Sequence, residues 1–263
     1  MRLSDSETAQ RNARIDRNLR KFYFSNQAVE QLLSSATPKM LSFMDTFLCD
    51  ELQRREVRRK EALLRHAGFP VVKDIKDFDF SQCTFPEEMP KEAVLNLNFI
   101  KMRHSLVFYG VCGSGKTMLS ICLGIAACRA GYSVRFFTLA QLANRLAKAA
   151  ENNSLESFLE SLRKLDLLII DEWGYTSLSG TDAGYVFRVI SDSYECKSLI
   201  ITTNLPFGQW GRLVSDDQLA TAIIDRIVHY GHLIDTGTKD WRLTLSPMNG
   251  QVVSSEEVVD RKN

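Results

Sequence analysis

The eight residues Gly110-Val111-Cys112-Gly113-Ser114-Gly115-Lys116-Thr117 fit the pattern Gly, four residues, Gly-Lys-Thr, and no other stretch of the chain constrains its fold as tightly. Before them stands Leu106-Val107-Phe108-Tyr109, a short apolar run of strand type, and residues 118–130 after them have helical character. Strand, glycine loop and helix is the context a P-loop requires. Glycines let consecutive backbone N–H groups turn inward around phosphate oxygens, and the following helix aims its positive N-terminus at the same anion. In such a loop the residues from Gly110 to Met118 cradle a nucleotide. Lys116 reaches its β- and γ-phosphates, and the Thr117 hydroxyl ligates Mg²⁺. The bland alternative, a glycine turn that happens to precede a helix, does not account for both flanks.

From residue 105 onward strand and helix signals alternate. Residues 133–138 read as a second strand, and residues 139–150 and 155–164 as amphipathic helices. Leu167-Leu168-Ile169-Ile170 is wholly apolar, typical of a central parallel strand buried on both faces. Residues 181–194 follow as a helix, 198–203 as another buried strand, 219–230 as a helix, and 232–235 and 241–245 as late strands. This alternation predicts an α/β fold, a parallel sheet flanked by helices.

Ligands of such sheets bind at the carboxyl edge of the strands. Asp171 emerges there after four apolar residues and suits Mg²⁺ ligation alongside Thr117. Glu172, beside it, is placed to orient and deprotonate an attacking water. Asn204 ends a neighbouring buried strand and suits a hydrogen bond to the γ-phosphate or that water; its plainer role is a turn cap before Pro206. Arg226 is a charge on a largely apolar helix. It is an internal partner for Asp225, a surface charge, or an arginine finger for transition-state charge. Arg242, after Trp241, is a weaker candidate for sensing nucleotide.

Residues 1–68 read as helical and carry more charge. Arg11, Arg14, Arg17 and Arg20 recur every third residue, which places them on one slanting stripe of a helix. Arg54, Arg55, Arg58, Arg59 and Lys60 form a dense cluster, with Glu51, Glu56 and Glu61 at ion-pair spacing. That cluster is either a solvated face or a helix that contacts the phosphates of DNA. The formal net charge is only +1, so local charge must carry a nucleic-acid reading alone. Residues 69–98 read as a connector of turns whose aromatics dock on the core, residues 99–246 as the nucleotide-binding core, and residues 247–263 as a polar tail. None of the six cysteines forms a Cys-x-x-Cys pair, and none has a histidine at ligand spacing. Reduced thiols in a cytoplasm are expected, with neither zinc nor disulfides. No apolar run is long enough to span a bilayer.

As a set, the glycine loop, Leu167-Leu-Ile-Ile-Asp-Glu-Trp-Gly-Tyr175, Ile201-Thr-Thr-Asn204 and Ile224-Asp-Arg-Ile-Val-His229 resemble the IstB/DnaC branch of the AAA+ ATPases. The stretch Ala126-Ala-Cys-Arg-Ala-Gly-Tyr-Ser-Val134 and the Arg-rich helix ending at His66-Ala-Gly-Phe-Pro70 bring it nearer to IstB. The resemblance covers residues 37–245. It implies an AAA+ core preceded by a small all-helical N-terminal domain, with ATP and Mg²⁺ as cofactors. It further implies DNA binding by the helical region, on duplex DNA, through Arg54, Arg55, Arg58, Arg59 and Lys60. Assembly into a homo-oligomer with ATP sites at subunit interfaces is implied as well, with a transposase as partner. Its catalytic set is Lys116, Glu172, Asn204 and Arg226, the last donated to the neighbouring subunit. The loop departs from the family pattern at Val111-Cys112, where Pro-Pro is common, and at Met118, where His is. Only a short tail follows Arg242, so a full helical lid is not expected.

Three readings compete. A DnaC-like loader contacts single-stranded DNA and a replicative helicase. A small-molecule kinase needs an acceptor pocket and an arginine-rich lid, and no such lid follows the core. A nucleotide-dependent adaptor without hydrolysis has no use for Glu172.

Overall fold

The computed structural model describes residues 4–214 and 216–244. It divides into two compact units that meet in sequence between Ala62 and Leu63. The expected polar tail lies outside the described residues.

The first unit is built from α1 (Asp5–Lys21), α2 (Asn26–Ser35) and most of α3 (Pro38–Ala67). A reciprocal capping box starts α1. The Ser4 hydroxyl accepts from the Glu7 N–H while the Glu7 carboxylate accepts from the Ser4 N–H. Ser25 caps α2 by accepting from the Ala28 N–H. Ile15, Leu19, Val29, Leu41 and Leu48 form the core. Five fully buried apolar side chains make a small core, so polar ties weigh more in fixing how the helices sit. Arg14 donates from Nε to Asp45 at 2.7 Å, and this bond holds the Asp45 carboxyl below the usual carboxylate range. Arg11 is buried and reaches the Pro38 carbonyl, and Arg20 pairs with Asp16. Three arginines of the stripe are therefore engaged within this unit; Arg17 stays exposed.

The second unit begins in the last turns of α3 and continues through a 3-10 turn (Ile75–Asp77), α4 (Lys91–Leu95) and α5 (Asn98–Met102). The alternating part follows: β1 (Ser105–Tyr109), α6 (Lys116–Ala130), β2 (Val134–Thr138), α7 (Leu139–Glu151), α8 (Leu155–Arg163), β3 (Leu167–Trp173) and α9 (Gly180–Ser193). Then come β4 (Ser198–Thr203), a 3-10 segment (Phe207–Leu213), α10 (Asp217–His229), β5 (Gly231–Asp235) and α11 (Trp241–Thr244). The five strands lie in the order β2-β3-β4-β1-β5, and every pair is parallel.

Strand side chains alternate between the two faces. Val107, Leu168, Ile170, Leu199 and Ile201 pack with residues of α7, α9 and α10 on one face. Leu106, Phe108, Leu167, Ile169, Ile200 and Ile234 pack with α6 on the other. The connector's aromatics join this second core, as expected. Phe78 and Phe80 meet edge-on at 4.7 Å between ring centroids, and Phe85 packs beside them. Thr84 adds a two-hydrogen-bond antiparallel bridge to Asp235 at the end of β5. Among the described residues no helix is long and apolar enough to cross a membrane.

Two expectations are corrected. Residues 241–244 form a helical turn, not a strand. The Asp240 carboxylate accepts from the Arg242 N–H at 2.9 Å and the Gly113 carbonyl accepts from the Trp241 N–H at 3.1 Å, so the donors a strand would need are already engaged. Leu245 lies outside the described residues. Strand β3 also does not end in the acidic pair Asp171-Glu172. It continues to Trp173 through an irregularity between Ile170 and Trp173.

Candidate active site

The loop from Gly110 to Gly115 joins the carboxyl end of β1 to the first turn of α6. Gly113 and Gly115 have φ of 78° and 94°, the left-handed region in which other residues are strained. A Cβ on Gly115 would also lie 2.8 Å from the Phe78 ring. Among the described residues no side-chain hydrogen bond caps α6, so the N–H donors of its first turn remain for an anion. Lys116 is buried, which pulls its pKa below the ordinary lysine value. Its ammonium donates to the Gly110 and Val111 carbonyls at 2.9 Å and 2.7 Å, within the loop that it would leave for phosphate. Val111 and Cys112 are exposed, Ser114 is buried, and Met118 packs partly against the core behind α6.

The acidic pair Asp171-Glu172, the second motif of the site after the glycine loop and hence its second, acidic motif, meets this loop directly. The Thr117 hydroxyl donates to the Asp171 carboxylate at 2.9 Å. Asp171 is 3% exposed, and the Thr202 hydroxyl donates to it as well. Glu172 has φ of 59°, a left-handed conformation that costs roughly 1–2 kcal/mol in a residue with a side chain. Its carboxylate is exposed, and among the described residues it makes no ion pair. Strain of this kind persists where the surroundings hold it, and such positions concentrate at functional sites. A buried carboxylate beside a threonine hydroxyl is a set of hard oxygen donors. It fits Mg²⁺, which takes one or two protein oxygens and fills its remaining positions with water and phosphate.

Asn204 follows β4, between the strands that carry the loop and Asp171. Among the described residues its buried Oδ1 has no hydrogen-bond partner. The turn-cap role belongs to its neighbour instead: the Thr203 hydroxyl accepts from the Leu205 N–H at 3.0 Å. An orphaned buried acceptor at a strand's carboxyl end fits a site that holds a donor such as water.

Arg226 is not brought to this site. Its guanidinium lies 4.9 Å from the Phe187 ring centroid and donates to the Ala222 carbonyl at 3.0 Å; among the described residues it forms no ion pair with Asp225. It lines a small cleft with Ser105, Lys197 and Tyr230, which stand at the amino-terminal ends of β1, β4 and β5. The P-loop stands at the opposite end of a five-residue strand, roughly 15 Å away at about 3.3 Å per residue. Arg242 is exposed, and its charge is near enough to lower Lys116 further.

Sequence reasoning missed three side chains around the loop. Thr236 bonds the Ser114 hydroxyl at 2.7 Å and donates to the Tyr109 carbonyl, tying the end of β5 to the loop. Tyr175 meets Cys112 at 2.8 Å, and that bond with burial pushes the phenol up to about 12. Thr202 touches both acidic residues. Only Thr202 had a local signal, the Thr-Thr-Asn at a strand end. The other two are contacts across the fold.

In the first unit, the basic cluster is split. Arg55 pairs with Glu51 at 2.9 Å, and Arg59 and Lys60 pair with Glu56 at 2.9 Å and 3.6 Å. Arg55 also covers the Phe22 ring at 4.3 Å. Arg54 and Arg58 form no ion pair among the described residues and line a shallow surface with Asp50, Gln53, Val57 and Glu61.

A family model described as IstB-like ATP binding protein matches residues 17–247, starting upstream of the span from residue 37 that the motifs delimit. A protein named as the ATP-binding protein of insertion sequence IS21 from Pseudomonas aeruginosa is 36% identical over 222 residues, covering 82% of each chain. The corresponding protein of insertion sequence IS5376 from Geobacillus stearothermophilus is 34% identical over 216 residues, covering 82% of this chain and 86% of that one. Among solved structures, DnaI aligns with a TM-score of 0.50 and 19% identity over 66% of this chain and 93% of its own, a likeness of fold.

Proposed function

This chain belongs to the family of IstB-like ATP binding proteins, and on that premise we propose that it hydrolyses ATP to assemble on duplex DNA and to activate or target a partner transposase. It is an ATP-binding protein with the fold of the AAA+ P-loop ATPases. The observation that carries the hydrolytic part is the hydrogen bond between Thr117 and Asp171, which joins the phosphate loop to the second acidic motif. The insertion-sequence names of its relatives support the transposition part.

In this reading Lys116 leaves its loop carbonyls and binds the β- and γ-phosphates of ATP, a charge-assisted contact. Thr117 and Asp171 hold Mg²⁺. When bound, the ion neutralises charge on the phosphate oxygens. Asn204 uses its orphaned Oδ1 to accept a hydrogen bond from the attacking water. Glu172 takes a proton from that water as its oxygen bonds to the γ-phosphorus and the bond to the ADP oxygen breaks. Arg226 faces away from its own P-loop and acts on the ATP of a neighbouring subunit. Its guanidinium stays charged and grips two phosphate oxygens. Arg54 and Arg58, with the rest of the basic cluster, contact DNA phosphates.

The test uses two variants. Lys116→Ala loses ATP binding. Glu172→Gln binds ATP and Mg²⁺, hydrolyses slowly and accumulates in an assembled state on DNA. Parental turnover by Glu172→Gln would remove Glu172 as the base.

A further inference from the structure

We infer that Thr202 is a positioning residue for ATP hydrolysis, whose single hydroxyl fixes both carboxylates of the second acidic motif. The inference rests on the reading of Asp171 and Glu172 given above and adds the group that sets their geometry.

The register between β3 and β4 carries the argument. Ile170 pairs with Ile201 and Trp173 with Thr203. Two residues of β3, Asp171 and Glu172, therefore stand opposite one residue of β4, Thr202. This is a β-bulge, in which one residue is left out of the ladder. It resets the alternation of the strand. Trp173 falls in the same core as Ile170, three positions earlier, although unbroken alternation would put the two on opposite faces. Asp171 stays buried against Thr117, and Glu172 is freed from the sheet as an exposed side chain.

The bulge leaves the Glu172 N–H without a ladder partner, and Thr202 supplies one. Its hydroxyl oxygen accepts from the Glu172 N–H at 3.0 Å and gives its own proton to Asp171 Oδ1. Thr202 is 2% exposed, so water does not replace it. One oxygen thus orients the Mg²⁺ ligand and holds the left-handed backbone of the base at φ of 59°. A valine keeps the shape and the strand propensity but offers neither bond. A serine keeps both bonds.

The experiment compares steady-state ATP turnover with DNA present, and equilibrium binding of a fluorescent ATP analogue, across five proteins: the parent, Thr202→Val, Thr202→Ser, Glu172→Gln and the double variant Thr202→Val with Glu172→Gln. Thr202→Val is expected to lower kcat about 10- to 100-fold, the cost of a misplaced reacting group. Its KM and its analogue affinity without Mg²⁺ should stay within about threefold of the parent. Thr202→Ser should recover most of the rate. Thr202→Val added to Glu172→Gln should slow that variant by a much smaller factor than it slows the parent, because the part of its effect that acts through Glu172 is already lost. The proposal is overturned by parental turnover in Thr202→Val, by loss of analogue binding in that variant with serine failing to restore it, or by losses that multiply in the double variant. A parent that binds the analogue yet never hydrolyses ATP overturns the hydrolytic reading itself, and Thr202 with it. The parent arm tells that outcome from the others.

Discussion

The Thr117 hydroxyl and the Asp171 carboxylate meet at 2.9 Å although 54 positions separate them. One is the last residue of the glycine-loop pattern and the other follows an apolar run, so their contact joins the phosphate loop to the acidic pair. If the pair serves Mg²⁺, Asp171→Asn and Thr117→Val weaken the Mg²⁺-dependent part of ATP affinity and leave the affinity in chelator nearly unchanged. Titration of a fluorescent ATP analogue with and without Mg²⁺ measures this. Equal losses in both conditions would assign the pair to loop stability instead.

Arg226 and Lys116 lie at opposite ends of the sheet, which predicts that the catalytic unit is shared between copies. Arg226→Ala should bind ATP nearly normally yet lose roughly three to five decades of turnover, the range seen when an arginine finger is removed. Lys116→Ala cannot bind nucleotide but keeps its finger. Mixing the two inactive proteins should restore part of the activity. ATP turnover is followed with DNA present as one variant is titrated into the other, and light scattering reports co-assembly. Co-assembly without recovered turnover would sink action in trans.

The split of the basic cluster refines its test. Charge reversal at Arg54, Arg55, Arg58 and Arg59 should weaken duplex binding and flatten its salt dependence. Because Arg55 and Arg59 already pair with glutamates, reversal of Arg54 and Arg58 alone should produce most of the change. Two lost phosphate contacts lower the slope of log K against log salt by about 1–2. Sequence preference should be slight, since phosphate contacts carry no base information. An unchanged slope returns the cluster to a solvated face. Tighter binding to single strands than to duplex favours helicase loading.

Lys197 carries a pH prediction independent of nucleotide. It is buried and donates to the Leu162 carbonyl, and burial lowers its pKa from 10.5 to about 8. The folded value lies below the unfolded one, so between about pH 8 and 10.5 the unfolded chain binds a proton that the folded chain lacks. Stability from this group therefore rises as pH climbs through that window, by up to about 1.4 kcal/mol per unit. Below pH 8 the cost of the buried charge is present in full. Relative to the parent, Lys197→Met should show its most favourable melting temperature near pH 7, and that advantage should shrink towards pH 10. A difference that stays constant with pH would remove Lys197 as the cause.

What the chain reveals unfolded is local chemistry with a short period. The glycine loop, the apolar strands and the acidic pair are each written in fewer than ten consecutive residues, and backbone sterics and burial act on that scale. They suffice for an α/β nucleotide-binding fold and for Lys116, Thr117 and Asp171. The helical turn at Trp241 was not legible, because its donors are held by Gly113 and Asp240 only once β5 lies beside the loop. Nor was the bulge at Glu172, since an apolar run followed by two acids reads equally as a strand that has ended. Its existence depends on the register with β4, and register is settled by which side chains can share a face of the core. Thr202 was one threonine among several until that register set its hydroxyl between two carboxylate-bearing residues. Tertiary structure also decided the opposition of Arg226 to its own P-loop, because parallel pairing gathers the amino-terminal strand ends at one edge of the sheet and the carboxyl ends at the other, and no local pattern encodes that pairing.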